Sequence, residues 1–224
     1  MSMEYKAIIF DMDGLLVDSE PIWHEVEVEL IESCGYTYLD EIRDVSIGMR
    51  VDEFAAILQR HYPKLGDSPA AIEAAITGRM LKLPPGRIKA MPGADELVQY
   101  VAEQGIPRAI ASSSSQRIIE HFVALMGWDE LIPQRYSAEF VQRGKPAPDI
   151  YLHAAEQLGC APETCLALED SRFGTMAALA AGMTCYTVPD LSHSSIADFA
   201  GINDNIYPSL HDILDEFKRK RIFA

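Results

Sequence analysis

The sequence predicts an α/β fold, a parallel sheet wound with helices and interrupted early by an inserted all-α segment. Three observations carry this. Short apolar runs, each ending in a polar or acidic loop, alternate with stretches of helical periodicity. Residues from about 17 to 88 show helical spacing and no strand signal. The chain's acidic and hydroxyl-bearing clusters fall just after predicted strands. Strands alternating with helices mean a parallel sheet, and in such open sheets ligands bind outside the carboxyl ends of the strands.

The elements follow in order. Ala7 to Phe10 reads as a buried strand that delivers Asp11-Met12-Asp13-Gly14. Ser19-Glu20-Pro21 reads as a helix start, with Ser19 as cap and Pro21 in the first turn. Ile22, Val26, Leu30 and Ile31 then repeat at helical spacing through Cys34, and Gly35 ends the helix. A second helix covers Val51 to His61 with Phe54, Ile57 and Leu58 on one face, and a third runs from Pro69 to Leu81. Between the first two lies Ser46-Ile47-Gly48-Met49-Arg50, a loop holding one cation. Leu83-Pro84-Pro85-Gly86-Arg87 is a rigid, turn-rich linker.

Next come a helix from Ala94 to Gln104, a strand from Pro107 to Ala111, the run Ser112 to Ser115, and a helix from Arg117 to Met126. A weaker strand lies near Tyr136, and a helix runs from about Ala147 to Leu158. The strand Cys165 to Leu168 ends in Glu169-Asp170-Ser171; a helix from Phe173 to Ala181 and a strand from Met183 to Val188 follow. The expected architecture is therefore a Rossmann-like sheet core, residues 1–16 and 89–224, with residues 17–88 inserted as a helical cap after the first strand. Insertions are tolerated where a loop's ends lie close together. This one falls just past Asp11 and Asp13, so the insert hangs over the carboxyl edge of the sheet as a lid.

Bulk properties narrow the function. Of 224 residues, 48% are apolar, enough for a real core. The net charge of −15 argues against nucleic acid, whose phosphates need clustered Lys and Arg. It leaves room for a small phosphorylated ligand, since only that ligand's own site must be positive. Cys34, Cys160, Cys165 and Cys185 form no Cys-x-x-Cys pair and no zinc pattern with histidines. They read as buried or structural thiols in a reducing compartment. No stretch approaches the roughly 18 apolar residues of a membrane span, and Met1 to Lys6 lead into the first strand without an apolar signal region. A cytoplasmic monomer with a small-molecule partner, and with neither nucleic acid nor membrane, is the expectation.

Four stretches are candidates for one site. Asp11 and Asp13 repel each other unless a cation sits between them; alone, Asp-x-Asp-Gly reads equally as a turn. Ser112, Ser113 and Ser114 offer hydroxyls and amides at a helix N-terminus, an anion cradle or simply a cap. Lys145, in Gly144-Lys145-Pro146, has a fixed backbone, although a lone lysine reads as solvated. Glu169-Asp170 is a second acidic pair at a strand end, or again a turn. Together they make chemical sense. Two acidic clusters can hold Mg²⁺, which takes one or two carboxylates plus waters and a phosphate oxygen. The lysine and hydroxyls can take the remaining phosphate charge. One carboxylate can attack phosphorus to form an aspartyl-phosphate, and a second can protonate the leaving oxygen and then activate water. Phosphoryl transfer needs mainly such positioning and charge stabilisation.

The order Asp-Met-Asp-Gly, Ser-Ser, Gly-Lys-Pro, Glu-Asp-Ser resembles the four motifs of the haloacid dehalogenase-like (HAD) superfamily, from Tyr5 to about Val188. The helical insert is similar to the small cap of its phosphatase and phosphoglucomutase branch. The resemblance implies Asp11 as nucleophile and Asp13 as general acid/base. It implies Ser112 and Lys145, with Ser113 beside them, as phosphate ligands. It implies Mg²⁺ held by the Asp11 side chain, the Asp13 main-chain carbonyl and Asp170, with Glu169 as a further ligand directly or through water. Arg50 in Gly48-Met49-Arg50 resembles the specificity loop of such caps, where it would meet a sugar hydroxyl or a second anionic group; it also reads as a solvated residue at a helix start. Trp23 either faces the site or packs within the cap, and His24 reads as a surface residue.

In the phosphoglucomutases of this branch, a cap histidine stands twelve residues after the nucleophile; here that position is Trp23. A Mg²⁺-dependent phosphatase for small phosphorylated metabolites, sugar phosphates first, is therefore the expected activity. A phosphomutase is the alternative that His24 keeps open. A dehalogenase needs the Asp nucleophile without a metal, and Asp13, Glu169 and Asp170 argue against it. A phospho-acceptor signalling domain shares the strand-end Asp and the Lys but needs no lid.

Overall fold

The computed structural model of the chain describes residues 5–39, 41–42, 48–191, 194–220 and 222. Ser46 and Ile47 of the predicted cap loop lie outside them. Strands β1 (Ala7–Phe10), β2 (Arg108–Ser112), β3 (Gln134–Ser137), β4 (Cys165–Glu169) and β5 (Thr184–Thr187) form a parallel sheet in the order β3-β2-β1-β4-β5. Side chains alternate across a strand, and β1 shows it. Ile8 and Phe10 join one apolar cluster, Ala7 and Ile9 the cluster on the opposite face. A central strand buried on both sides reads as the continuous apolar run seen in the sequence.

The two faces differ in texture. On one, α4 (Ala94–Glu103) and α5 (Gln116–Met126) bury Leu97, Val98, Ile119 and Phe122 against the sheet. On the other, α6 (Asp149–Gln157) and α7 (Arg172–Ala180) pack through small residues, including Ala154, Ala155, Ala177 and Ala178. Beyond Val188, where the predicted strands end, the chain adds α8 (Leu210–Lys220). Its buried Leu210, Ile213, Leu214 and Phe217 repeat at helical spacing, a signal present in the sequence but absent from the elements predicted above.

The sheet places the site. The chain steps from β1 outward to β2 and β3, then crosses back to β4 and β5 on the other side. The order reverses between β1 and β4, which pair residue by residue from Ala7 with Cys165 to Phe10 with Leu168. The Asp11 amide continues that ladder, donating to the Leu168 carbonyl at 2.9 Å. The loops after β1 and β4 therefore open on the switch point, where open α/β sheets bind ligands.

Among the described residues, the segment from Glu20 to Met80 is helical, as the spacing predicts. It carries α1 (Glu20–Ser33), α2 (Val51–His61) and α3 (Pro69–Met80). Ile22, Val26 and Leu30 of α1 are buried in one apolar cluster with Phe54 and Leu58 of α2 and with Ile72 and Ile76 of α3. On α2 the buried face turns slightly from the predicted one: Ala55 is buried and Ile57 is only half-buried. The two connections to the sheet core run side by side. Val17 pairs antiparallel with Ala90, the Asp18 amide donates to Lys89, and the Met91 amide donates to Leu16. Among the described residues, no helix is long and apolar enough to cross a membrane.

Ser19 departs from expectation. It precedes α1 but makes no side-chain cap; its hydroxyl donates instead to Asp13 Oδ1 at 2.7 Å.

Truncating Ile9 tests the alanine-rich face. Ile9→Ala should cost about 2–5 kcal/mol in urea denaturation, because its small neighbours have few rotamers with which to refill the space. Phe140→Ala, at a position 69% exposed, should change stability by less than about 0.5 kcal/mol.

Candidate active site

The chain leaves β1 and turns at once. Gly14 donates to Val17 at 2.9 Å, and the Leu16 and Val17 amides both return to the Met12 carbonyl. Gly14 has φ +78°, and a Cβ there would lie 2.3 Å from Asp170 Oδ2. Glycine is thus required twice, by the left-handed backbone and by the approach of Asp170.

Asp11, Lys145 and Glu169 form the buried centre. Lys145 Nζ donates to Asp11 Oδ1 and, at 2.6 Å, to Glu169 Oε1. Tyr151, from the alanine-rich face, donates its hydroxyl to the same Glu169 oxygen at 2.6 Å. Glu169 Oε2 accepts from the Asp170 and Ser171 amides and from Ser171 Oγ. Glu169 thus serves five donors. Gly174 makes room for it, since a Cβ there would lie 1.8 Å from Glu169 Oε1.

Burial pushes the Asp11 carboxyl well above the usual carboxylate range; Lys145 opposes this, while Glu169 and Asp13 add to it. Asp170 is raised in the same way, by burial and then by Asp11, Glu169 and Glu20. Burial works to lower Lys145, but Asp11 and Glu169 outweigh it and hold the ammonium above its ordinary value. Lys145 is therefore charged at neutral pH.

These residues fit a hard divalent cation. Asp11, Glu169 and Asp170 each offer one carboxylate oxygen, all within 4.8 Å of one another, and oxygen donors suit Mg²⁺. Among the described residues Lys145 is the one cation paired with these three buried acids, so a metal would relieve the excess charge. Asp170 Oδ1 is buried without a hydrogen-bond partner among the described residues, whereas Glu169 is saturated with donors. The geometry thus favours Asp11 and Asp170 over Glu169 as side-chain ligands.

Asp13 faces the cap. Its Oδ1 accepts from Ser19 Oγ and, at 3.0 Å, from Trp23 Nε1; its Oδ2 accepts from Ser112 Oγ at 3.1 Å and Ser114 Oγ at 2.8 Å. Trp23 therefore faces the site, one of the two readings its position allowed. Ser112 reaches Asp13 and, with Ser113, lines the inner cavity. The Ser114 amide goes to Ser112 Oγ, and the Gln116 amide of α5 goes to Glu139 Oε2. Ser113 Oγ donates to the Gly48 carbonyl of the cap at 2.8 Å.

Two adjoining cavities meet at Asp13. The inner one, with about 280 Å³ of empty space, is lined by Asp11, Ser112, Ser113, Lys145 and Asp170. The outer one holds about 460 Å³, counting the part open to solvent, between Asp13 and the cap. Asp13, Glu20, Gly48 and Ser113 line both. Arg50 lines neither. Its guanidinium pairs with Asp52 and donates to the Val141 carbonyl at 3.0 Å, joining the cap to the loop before Lys145. The structure thus gathers Asp11, Asp13, Ser112, Ser113, Lys145, Glu169 and Asp170, and leaves Arg50 outside. Tyr151 and Ser19 were not legible as site residues: a tyrosine on an apolar helix face reads as core, and a serine before a helix reads as a cap.

A sheet-edge centre of this kind beneath a helical cap defines a capped α/β hydrolase. The family model described as haloacid dehalogenase-like hydrolase matches residues 5–182, and the chain belongs to that family. It is 35% identical over 185 residues to hexitol phosphatase B of Escherichia coli strain K12, covering 82% of this chain and 83% of that protein. It is 30% identical over 178 residues to a phosphorylated carbohydrates phosphatase of Thermotoga maritima, covering 80% and 82%. The crystal structure of CbbY from Rhodobacter sphaeroides in complex with phosphate superimposes with a TM-score of 0.82 at 30% identity, covering 93% of this chain and 96% of that one.

Two measurements probe the centre. Gly174→Ala should displace the Glu169 carboxylate and lower stability by about 1–3 kcal/mol. Gly78→Ala, in α3 with nothing within 4 Å of its Cβ, should instead stabilise by about 0.4–1 kcal/mol. Mg²⁺ in hundredfold excess over its Kd should stabilise the wild type by about 2.7 kcal/mol; differential scanning calorimetry should find that increment mostly lost in Asp170→Asn.

Proposed function

We propose that this chain is a Mg²⁺-dependent phosphatase of small phosphorylated metabolites, sugar and sugar-alcohol phosphates first, working through an aspartyl-phosphate on Asp11. The observation that carries the reading is the arrangement of the two acids. Asp11 lies at the floor of the inner cavity beside Lys145, and Asp13 lies where that cavity opens into the outer one. A phosphoryl group in the inner cavity puts phosphorus within reach of Asp11 and the leaving oxygen toward Asp13.

In this mechanism Lys145, held by Glu169, neutralises phosphoryl charge and orients the group. Ser112 exchanges its hydrogen bond to Asp13 for one to a phosphoryl oxygen, which leaves Asp13 Oδ2 with Ser114 alone and able to act on the leaving group. An Asp11 carboxylate oxygen attacks phosphorus, the bond from phosphorus to the leaving oxygen breaks, and Asp13 gives that oxygen a proton. Asp13 then takes a proton from water, which attacks the acyl phosphate and regenerates Asp11 with release of inorganic phosphate. Mg²⁺, held by Asp11, the Asp13 main-chain carbonyl and Asp170, supplies further neutralisation of phosphoryl charge when bound.

Trp23 favours hydrolysis over phosphomutation. Its indole N–H donates to Asp13 from the position at which the resemblance places a mutase histidine, and indole cannot exchange a proton with a sugar hydroxyl as imidazole does. The relatives named for hexitol and phosphorylated-carbohydrate phosphatases support the substrate class. The capped cavity supports a sequestered small molecule over a signalling role.

The test is a phosphate-release panel of sugar and polyol phosphates run with Mg²⁺. Wild type should turn over several members. Asp11→Asn should lose at least about a thousandfold in kcat/KM. A fully active Asp11→Asn, or a wild type inert on the whole panel, would overturn the reading.

A further inference from the structure

We infer that Tyr151 is a positioning residue of the phosphoryl site: its hydroxyl fixes the Glu169 oxygen to which Lys145 is anchored, and so aims the free N–H of that lysine into the inner cavity. This rests on the phosphatase reading and adds a residue that the mechanism does not otherwise use.

Tyr151 stands in the first turn of α6, just beyond Lys145, and is fully buried in the apolar cluster that holds Ile9, Ala154 and Ala177. For packing alone a phenyl ring would serve there. A buried hydroxyl must find a partner, and this one donates to Glu169 Oε1 at 2.6 Å. Burial, then Glu169 and Asp11, hold the phenol well above its ordinary pKa. It therefore keeps its proton and acts as a donor. The ring lies beside the same centre, with Lys145 Nζ 5.3 Å from its centroid, within reach of a cation–π contact. Tyr151 thus touches both partners of the buried ion pair, the acid through its hydroxyl and the cation through its ring.

The lysine's geometry makes that contact matter. An ammonium has three N–H groups. One goes to Asp11 Oδ1 and one to Glu169 Oε1. The third is left, among the described residues, for a phosphoryl oxygen in the inner cavity that Lys145 lines. The ammonium is tetrahedral, so fixing two directions sets the third. Glu169 is the anchor for one of them. Its Oε2 is held at 3.2 to 3.3 Å by the Asp170 and Ser171 amides and Ser171 Oγ. Its Oε1 is held at 2.6 Å by Lys145 and Tyr151. Of these two short contacts, only the one from Tyr151 is independent of the cation that serves the phosphoryl group. Charge stabilisation in phosphoryl transfer depends on donors already in place, and small misplacements of such groups cost rate.

Tyr151→Phe tests this, because it keeps the ring, its packing and its place beside Lys145 and removes only the hydroxyl. With saturating Mg²⁺ and a hexitol monophosphate as substrate, kcat should fall about tenfold, about 1.4 kcal/mol. The competitive inhibition constant of inorganic phosphate should rise about threefold or more. Both are measured below the onset of the variant's melting curve, so that loss of folded protein does not enter. A purely structural tyrosine would lower the melting temperature and leave both constants within about twofold of wild type, and that result overturns the inference while the phosphatase reading stands. A lowered kcat with unchanged phosphate inhibition also overturns it, since Lys145 meets bound phosphate and reacting phosphoryl alike. Should the variant not fold, wild type decides: the buried, slowly exchanging tyrosine hydroxyl proton should shift in the NMR spectrum when inorganic phosphate is added to the Mg²⁺-loaded protein. An unmoved resonance overturns the inference. A wild type that hydrolyses no ester of a sugar and polyol phosphate panel overturns the phosphatase reading, and the inference with it.

Discussion

The interaction on which the rest depends is the buried bridge from Asp11 through Lys145 to Glu169. The three charges come from separate parts of the chain: the end of β1, the loop before α6 and the end of β4. Removing one partner of such a buried set typically costs about 3–5 kcal/mol, because an uncompensated charge remains. The bridge is satisfied only when β1 and β4 are neighbours and α6 has docked its alanine-rich face, which brings Tyr151 to Glu169. Fold and site are thus the same arrangement seen at two scales. Residual negative charge, with Asp170 Oδ1 unpartnered among the described residues, is what a divalent cation would complete.

Asp13 is the second junction, and it is mechanical as well as chemical. The cap reaches it through Ser19 and Trp23, the sheet core through Ser112 and Ser114. Ser113 to Gly48 and Arg50 to Val141 tie the same two parts together on either side. The paired connections at Val17 and Ala90 keep the insert's two ends adjacent. The acid assigned to proton transfer therefore sits where the cap meets the sheet, so the position of the cap bears directly on the leaving group.

Much of this was legible in the sequence, for a physical reason. A central parallel strand is buried on both faces and must be apolar, so β1 and β4 stand out, and the polar residues that follow them must lie at the sheet edge. Helical spacing exposed α1, α2 and α3 in the same way. Legibility failed where the assignment depended on which of several acceptors a donor finds. Ser19 was expected to cap a helix and instead serves Asp13. Of the serine run, which read as an anion cradle or a cap, the Ser114 amide turns back to Ser112 Oγ, and the next amide, of Gln116, is held by Glu139. Glu169, read as a further metal ligand directly or through water, stands with Asp11 and Asp170 and also receives donors, one of them a tyrosine that looked like core. For Arg50 the sequence left open a contact with substrate or a solvated residue at a helix start, and the structure pairs it with Asp52 and the Val141 carbonyl.

The sequence by itself determined the sheet, the helical insert and the acids, serines and lysine brought to one edge, because periodicity and burial are local properties of the chain. Only the tertiary structure decided the partner of each charge and hydroxyl. Hydrogen bonds and ion pairs are short-ranged, so these depend on distances between residues as far apart as Asp11 and Lys145, which no local pattern records.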